Sequence, residues 1–139
     1  MKIVLLNGPP GCGKDTIGQM LQSMAGDKAI TLKFAQPIID YMMQTFGVSC
    51  ADGQDKSIPC DELYGKTRRE VAIAYSEDFI KPTFGEDWFG KKAASEIRKL
   101  LSAEFAFFIF TDSGFREEAK QLLALKMSIY RIRISRKGC

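Results

Sequence analysis

The sequence predicts an α/β domain of three layers, with a parallel sheet of about four strands flanked by helices. Two observations carry this. Short apolar runs at 2–6, 29–34, 105–110 and 128–134 alternate with longer stretches of helical period. The first run, Ile3-Val4-Leu5-Leu6, is nearly continuous rather than alternating, as a strand buried on both faces requires.

Taken in order, 2–6 reads as a strand and Gly8 to Gly13 as a Gly/Pro turn. The next stretch, 14–25, reads as a helix with Ile17, Met20, Leu21 and Met24 on one face. Gly26-Asp27 stops it, and 29–34 is a second strand. A helix over 36–46 is entered through Pro37, and 47–59, rich in Gly, Ser, Asp and Lys, is a loop. The stretch 61–79 reads as one helix with Leu63, Thr67, Val71 and Ala74 as its inner stripe, broken by Lys81-Pro82-Thr83-Phe84-Gly85. Residues 86–102 read as a helix burying Phe89, Ala93, Ile97, Leu100 and Leu101. Then come a strand over 105–110 ending in Thr111-Asp112, a helix over 115–125, and a last strand over 128–134. There is no internal repeat or low-complexity tract.

The chain has 139 residues, enough for a single domain over 1–139 with one core. Its net charge of +3 comes from basic residues interleaved with acids, which gives no argument for nucleic acid and suits an anionic small molecule. No apolar run approaches the roughly 20 residues of a membrane span. The N-terminal apolar run ends in Asn7-Gly8 without a cleavage site, so a cytoplasmic protein is expected. Cys12, Cys50, Cys60 and Cys139 form no C-x-x-C pair and histidine is absent, which argues for free thiols and against zinc. The lack of histidine also removes mechanisms that need an imidazole base.

Gly8, Gly13 and Lys14 satisfy G-x-x-x-x-G-K between a predicted strand and a predicted helix. In that setting glycines let successive N–H groups point inward, the helix N-terminus adds partial positive charge, and the lysine adds a full one for the outer phosphates. Gly8, Pro9, Pro10, Gly11, Cys12, Gly13, Lys14, Asp15 and Thr16 are therefore the candidate phosphate-binding residues, and the motif predicts a P-loop NTPase fold. Asp15 stands where Ser or Thr normally supplies a hydroxyl to Mg²⁺. Three readings stay open: Thr16 takes over, Asp15 itself serves the metal as a hard oxygen ligand, or Asp15 only favours the first helical turn. Asp112, at the end of an apolar strand, is a third candidate for Mg²⁺, held through water; the competing reading is a helix N-cap.

With these residues in view, the chain resembles the nucleoside monophosphate kinases of the P-loop superfamily. Gly13-Lys14-Asp15-Thr16 is similar to the loop of bacteriophage deoxynucleoside monophosphate kinases. Thr111-Asp112-Ser113-Gly114-Phe115-Arg116 resembles the Asp-Gly-Phe-Pro-Arg segment of adenylate kinases, shifted by one residue and without the proline. The stretch 67–90, with Arg68-Arg69-Glu70 and Lys81 to Gly90, resembles phage proteins grouped with these kinases.

The resemblance implies ATP and Mg²⁺ as cofactors, a nucleotide substrate, and a helical substrate-binding insertion over about 36–104. It implies that Lys14 and the loop hold ATP and that Arg116 binds the acceptor's phosphate. Arg68 or Arg69 would bind that phosphate or the transferring group, against a competing reading as a solvated basic face. Asp87 would orient groups on the substrate side, and Trp88 would stack on a base or pack in the core beside Phe89. Lys14, Arg68, Asp112 and Arg116 are thus the expected catalytic set. A viral source would place the protein in the host cytoplasm. The chain stops short of the arginine-bearing lid, last strand and adenine loop of adenylate kinases; Arg131, Arg133 and Arg136 could supply late basic groups, though alternate residues on a strand cannot all face one ligand. A fragment, a minimal version or a weak relative is expected on that ground.

The expected activity is ATP-dependent phosphoryl transfer to a (deoxy)nucleoside monophosphate. Two alternatives stand beside it: a nucleotide-binding protein without turnover, and a kinase of a non-nucleotide phosphorylated metabolite, since Gly-Lys-Asp also resembles the loop of some phosphomevalonate kinases. A DNA-translocating ATPase is disfavoured by the lack of a glutamate beside Asp112 and of a basic stripe. No membrane and no nucleic-acid partner are expected, and the oligomeric state stays open, a homodimer included.

Overall fold

The computed structural model describes residues 1–9, 11–50, 55–114 and 116–137. They form two compact units, one of Met1–Phe34 with Phe89–Cys139 and the other of Ala35–Trp88.

The first unit is an α/β structure around a four-stranded parallel sheet. Its strands are β1 (Lys2–Asn7), β2 (Ala29–Leu32), β3 (Phe107–Phe110) and β4 (Ser128–Arg133), in the order β2-β3-β1-β4. The register sets Leu5 against Phe110 on one side and against Arg131 on the other. Three helices pack in this unit: α1 (Lys14–Ala25), α5 (Trp88–Leu100), of which Phe89 onward belongs here, and α6 (Arg116–Lys120).

Because side chains alternate across a strand, β1, β2 and β3 each serve two cores. Val4, Leu6, Ala29 and Ile109 face Ile17, Leu21 and Ala25 of α1. Ile3, Leu5, Phe108 and Phe110 face Ala93, Ala94 and Ile97 of α5 together with Ala119 and Leu122. Phe34 stacks on Phe110 with ring centroids 4.5 Å apart. This two-sided demand is why β1 and β3 read as continuous apolar runs.

The α1 helix spans the predicted residues, but its buried face differs from the expected one. Met20 and Met24 are exposed, at 55% and 82%, and Gly18 is the residue that is buried. A Cβ at position 18 would lie 2.4 Å from Thr111 Cγ2, so α1 turns its glycine to the end of β3 and its methionines outward. The strand expected over 29–34 stops at Leu32, and the helix expected over 115–125 is α6 followed by a 3₁₀ stretch, Gln121–Leu125. Phe115, where that helix was expected to begin, lies outside the described residues.

The second unit begins with α2 (Gln36–Phe46), which has the predicted bounds with Pro37 in its first turn. The single helix expected over 61–79 is not found. Asp61–Leu63 is a 3₁₀ turn, and Tyr64 and Gly65 adopt positive φ of 56° and 84°, which ends it. A new helix, α3 (Arg68–Ile73), starts at Thr67 through a capping box in which the Thr67 hydroxyl accepts from Glu70 N–H and the Glu70 carboxylate accepts from Thr67 N–H. Thr67 is therefore a cap, not part of an inner stripe, and Ala74 is exposed.

The expected break at 81–85 is likewise displaced. The helix passes through a π-helical segment, Ala74–Ile80, into α4 (Lys81–Phe84) and ends at Gly85, whose φ of 117° suits glycine. Pro82 has no N–H, and its ring crowds the carbonyl four residues back, at Asp78. The preceding turn widens instead of breaking, and Lys81 N–H donates to the Ser76 carbonyl, five residues back. Val48, Cys60 and Leu63 form the unit's small core with Phe46 and Val71, and Tyr41 stacks on Tyr75 at 4.2 Å. Cys12, Cys50 and Cys60 are buried and form no disulfide among the described residues; Cys139 lies outside the described residues. No helix among the described residues is long and apolar enough to cross a membrane.

The close approach of α5 to the backbone of Glu118 gives a prediction. A Cβ at Gly90 of α5 would lie 2.3 Å from the Glu118 carbonyl oxygen and 2.7 Å from its Cα, both backbone atoms that cannot step aside. Gly90→Ala should lower folding stability by about 1–3 kcal/mol, read as an earlier midpoint in urea unfolding.

Candidate phosphate site at the ends of β1 and β3

The chain leaves β1 to reach β2 on one side of the sheet, and leaves β3 to reach β4 on the other. Right-handed crossovers then put the helices that follow β1 and β3 on opposite faces, as the two cores show. The carboxyl ends of β1 and β3 are adjacent at this switch point, where open parallel sheets bind ligands. The Gly-rich loop follows β1, and Thr111-Asp112 follows β3.

Gly11 and Gly13 have φ of 77° and 90°, a left-handed conformation that glycine adopts without steric cost. Gly13 is the N-cap of α1, and no side chain caps the helix there, which leaves the amides of its first turn to solvent or a ligand. Cys12 is buried, and its N–H reaches the Pro9 carbonyl at 3.3 Å, folding the loop on itself. Lys14 lies across the loop, its Nζ donating to the Gly8 carbonyl at 2.8 Å. Gly8 is held from its other side: a Cβ there would be 2.5 Å from the Ile134 carbonyl oxygen. Beyond β4, Arg136 Nη2 approaches the Gly11 carbonyl at 3.4 Å. Pro10 lies outside the described residues.

The acids have defined partners. Asp15 Oδ1 pairs with Lys33 Nζ at 3.2 Å. Asp112 Oδ1 accepts the Phe34 N–H at 2.9 Å, which ties the end of β3 to the segment after β2. Asp112 stands four residues before α6, which begins at Arg116. Thr16 is exposed. Next to Asp112, Thr111 Oγ1 is buried and has no hydrogen-bond partner among the described residues. Arg116 is exposed at the start of α6.

Arg68, Arg69, Asp87 and Trp88 belong to the second unit. Arg68 is engaged there: Nε donates to the Ser49 carbonyl at 2.7 Å and Nη1 to Cys60 Sγ at 3.2 Å, pinning both ends of the loop that precedes α3. Arg69 is exposed and lies near Asp55. The Asp55 carboxyl is held below the usual carboxylate range by the Ser57 hydroxyl and N–H, with a contribution from the Arg69 charge. The Trp88 ring is 6.4 Å from that of Phe84, at the end of a run of ring contacts through Phe79 and Tyr75.

Two charged residues escaped the sequence reading. Glu118 is 5% exposed, hidden in a stretch that reads as a polar helix face. Lys33 sits at the end of a predicted strand, and that position, at the carboxyl end of a parallel sheet, was the available signal. The sequence matches no family model and no curated protein.

The Arg68 contacts give a prediction. Arg68→Met removes the donors to Ser49 and Cys60 while keeping an apolar stem. It should destabilise the loop before α3 by about 1–2 kcal/mol, read as faster amide exchange in the stretch from Val48 to Cys60. Exchange unchanged there would show that the guanidinium is dispensable to the loop.

Proposed function

We propose that the chain binds ATP with Mg²⁺ at the loop Gly8 to Thr16 and transfers its terminal phosphoryl group to a (deoxy)nucleoside monophosphate. The observation that carries this is the loop itself. Two left-handed glycines lead into a helix without a side-chain cap, at the switch point of a parallel sheet, with a lysine at the first helical position. The sheet order is compatible with a P-loop fold, and the rest of the reading comes from the motif and from the sequence resemblance.

Asp112, Thr111, Thr16 and Asp15 would hold Mg²⁺, which would supply positive charge beside the outer phosphates, a role that asks the protein for few carboxylates. The donors fit it. Thr111 offers a buried hydroxyl without a partner among the described residues, and Asp112, Thr16 and Asp15 add hard oxygens. Among the described residues no cluster of three acids, cysteines or histidines competes as a transition-metal site.

Lys14 would exchange the Gly8 carbonyl for phosphate oxygens, a stronger, charge-assisted contact. Arg116 would hold the acceptor's phosphate. Arg68, Arg69, Asp87 and Trp88 enter as acceptor residues through the sequence resemblance alone. An oxygen of the acceptor monophosphate attacks the terminal phosphorus of ATP and ADP leaves. The acceptor is already an anion at neutral pH, so no histidine is needed, and positioning with positive charge suffices.

A panel of ribo- and deoxyribonucleoside monophosphates with ATP and Mg²⁺ tests this, read as diphosphate formed. At least one should be converted. Lys14→Ala should reduce transfer by roughly a hundredfold or more through lost charge at the phosphates. Arg116→Ala should raise the acceptor KM. Nucleotide binding without transfer to any acceptor would leave a binding protein, and phosphorylation of a non-nucleotide acceptor alone would move the substrate class.

A further inference from the structure

We propose that Lys33 is a positioning residue for the phosphate site: it balances the charge of Asp15, so that the loop can carry an acid in its first helical turn and still receive an anion. The inference deepens the reading of Gly8 to Thr16 as a polyphosphate cradle and rests on it.

Asp15 follows Lys14 directly, in the turn whose amides would face phosphate oxygens. The partial positive charge of the helix N-terminus favours a carboxylate at this position. Alone, that carboxylate would repel a triphosphate and offset much of what Lys14 contributes. Lys33 removes the problem from a different element, since it stands just past β2, and its Nζ lies 3.2 Å from Asp15 Oδ1.

The pair is held in place. Phe34, the next residue, gives its N–H to Asp112 and its ring to Phe110, so the Lys33 side chain starts from a clamped backbone. The Lys33 side chain is 19% exposed and that of Asp15 44%. Lys33 is the more buried of the two and so the less screened by salt, and its charge offsets the Asp15 charge that a neighbouring ligand meets. The same degree of exposure makes the pair a small contributor to folding, so its loss should leave the protein intact. Lys33 thus stands between two candidate site acids, bonded to Asp15 through its side chain and joined to Asp112 through the next peptide N–H.

The test is a double-mutant cycle on the full chain, read by calorimetry with two probes. One is MgATP; the other is inorganic triphosphate in metal-free buffer, where metal ligation by Asp15 plays no part. Lys33→Met should weaken triphosphate binding by roughly ten- to a hundredfold with an unchanged melting temperature. Lys33→Arg should bind within a few fold of wild type. The double variant Lys33→Met with Asp15→Asn should recover most of the loss, because the uncompensated charge has gone.

Recovery in the double variant supports the inference, as no purely structural role for Lys33 predicts it. A double variant as weak as Lys33→Met overturns it and makes Lys33 a direct ligand of phosphate. Wild-type binding matched by Lys33→Met overturns it while the cradle stands. Absence of binding of both probes to the wild type overturns the cradle and the inference together.

Discussion

The position of β1 in the sheet, between β3 and β4, is the constraint on which the rest depends. It forces the crossover from β1 to run one way and that from β3 to run the other. The first sends α1 to one face of the sheet and the second sends α6 to the opposite face. At that place the carboxyl ends of β1 and β3 lie side by side. The Gly-rich loop and Asp112 occupy it because they are the residues that follow those two strands.

Close backbone approach then decides which residues can stand around this place. Gly8 admits the Ile134 carbonyl from the segment after β4, and Gly18 admits the Thr111 methyl at the end of β3. Ile134 N–H also donates to the Asn7 carbonyl at 2.6 Å, so the loop is flanked on the β4 side by ordered backbone. On the β2 side, Phe34 is locked by Asp112 and Phe110, which fixes where Lys33 begins. The loop is thus held from both neighbouring directions, while the amides of the first α1 turn lack a side-chain cap. A rigid frame around such amides is what electrostatic recognition of phosphate asks for, since the donors need no rearrangement to meet their ligand.

Much of this was legible in the residues. Strands that are apolar on both faces, and helices bounded by Gly26 or entered through Pro37, follow from local rules that tertiary structure did not override. The loop was legible because its chemistry is contiguous, with glycines, lysine and helix start inside nine residues. What misled was periodicity without regard to turns and close contacts. Leu63, Thr67, Val71 and Ala74 have helical spacing, yet the Thr67 capping box and the left-handed Tyr64-Gly65 pair divide them. Met20 and Met24 continue an apolar stripe, yet the contact at Gly18 turns them to solvent. Lys33 and Asp15 are 18 residues apart, and no local pattern announces a pair made by a crossover. Arg68 reads as a basic helix face, and only the fold shows its donors spent on Ser49 and Cys60.

The most direct measurement of the central claim is a two-dimensional amide NMR titration of the full chain with MgATP. Saturable shifts should be largest at the amides of Gly11, Gly13, Lys14, Asp15 and Thr16, with Asp112 next, and small along the exposed edge strand β4. Saturable shifts that leave Gly11 to Thr16 unmoved, or a spectrum unchanged at millimolar nucleotide, would contradict a phosphate site at the ends of β1 and β3.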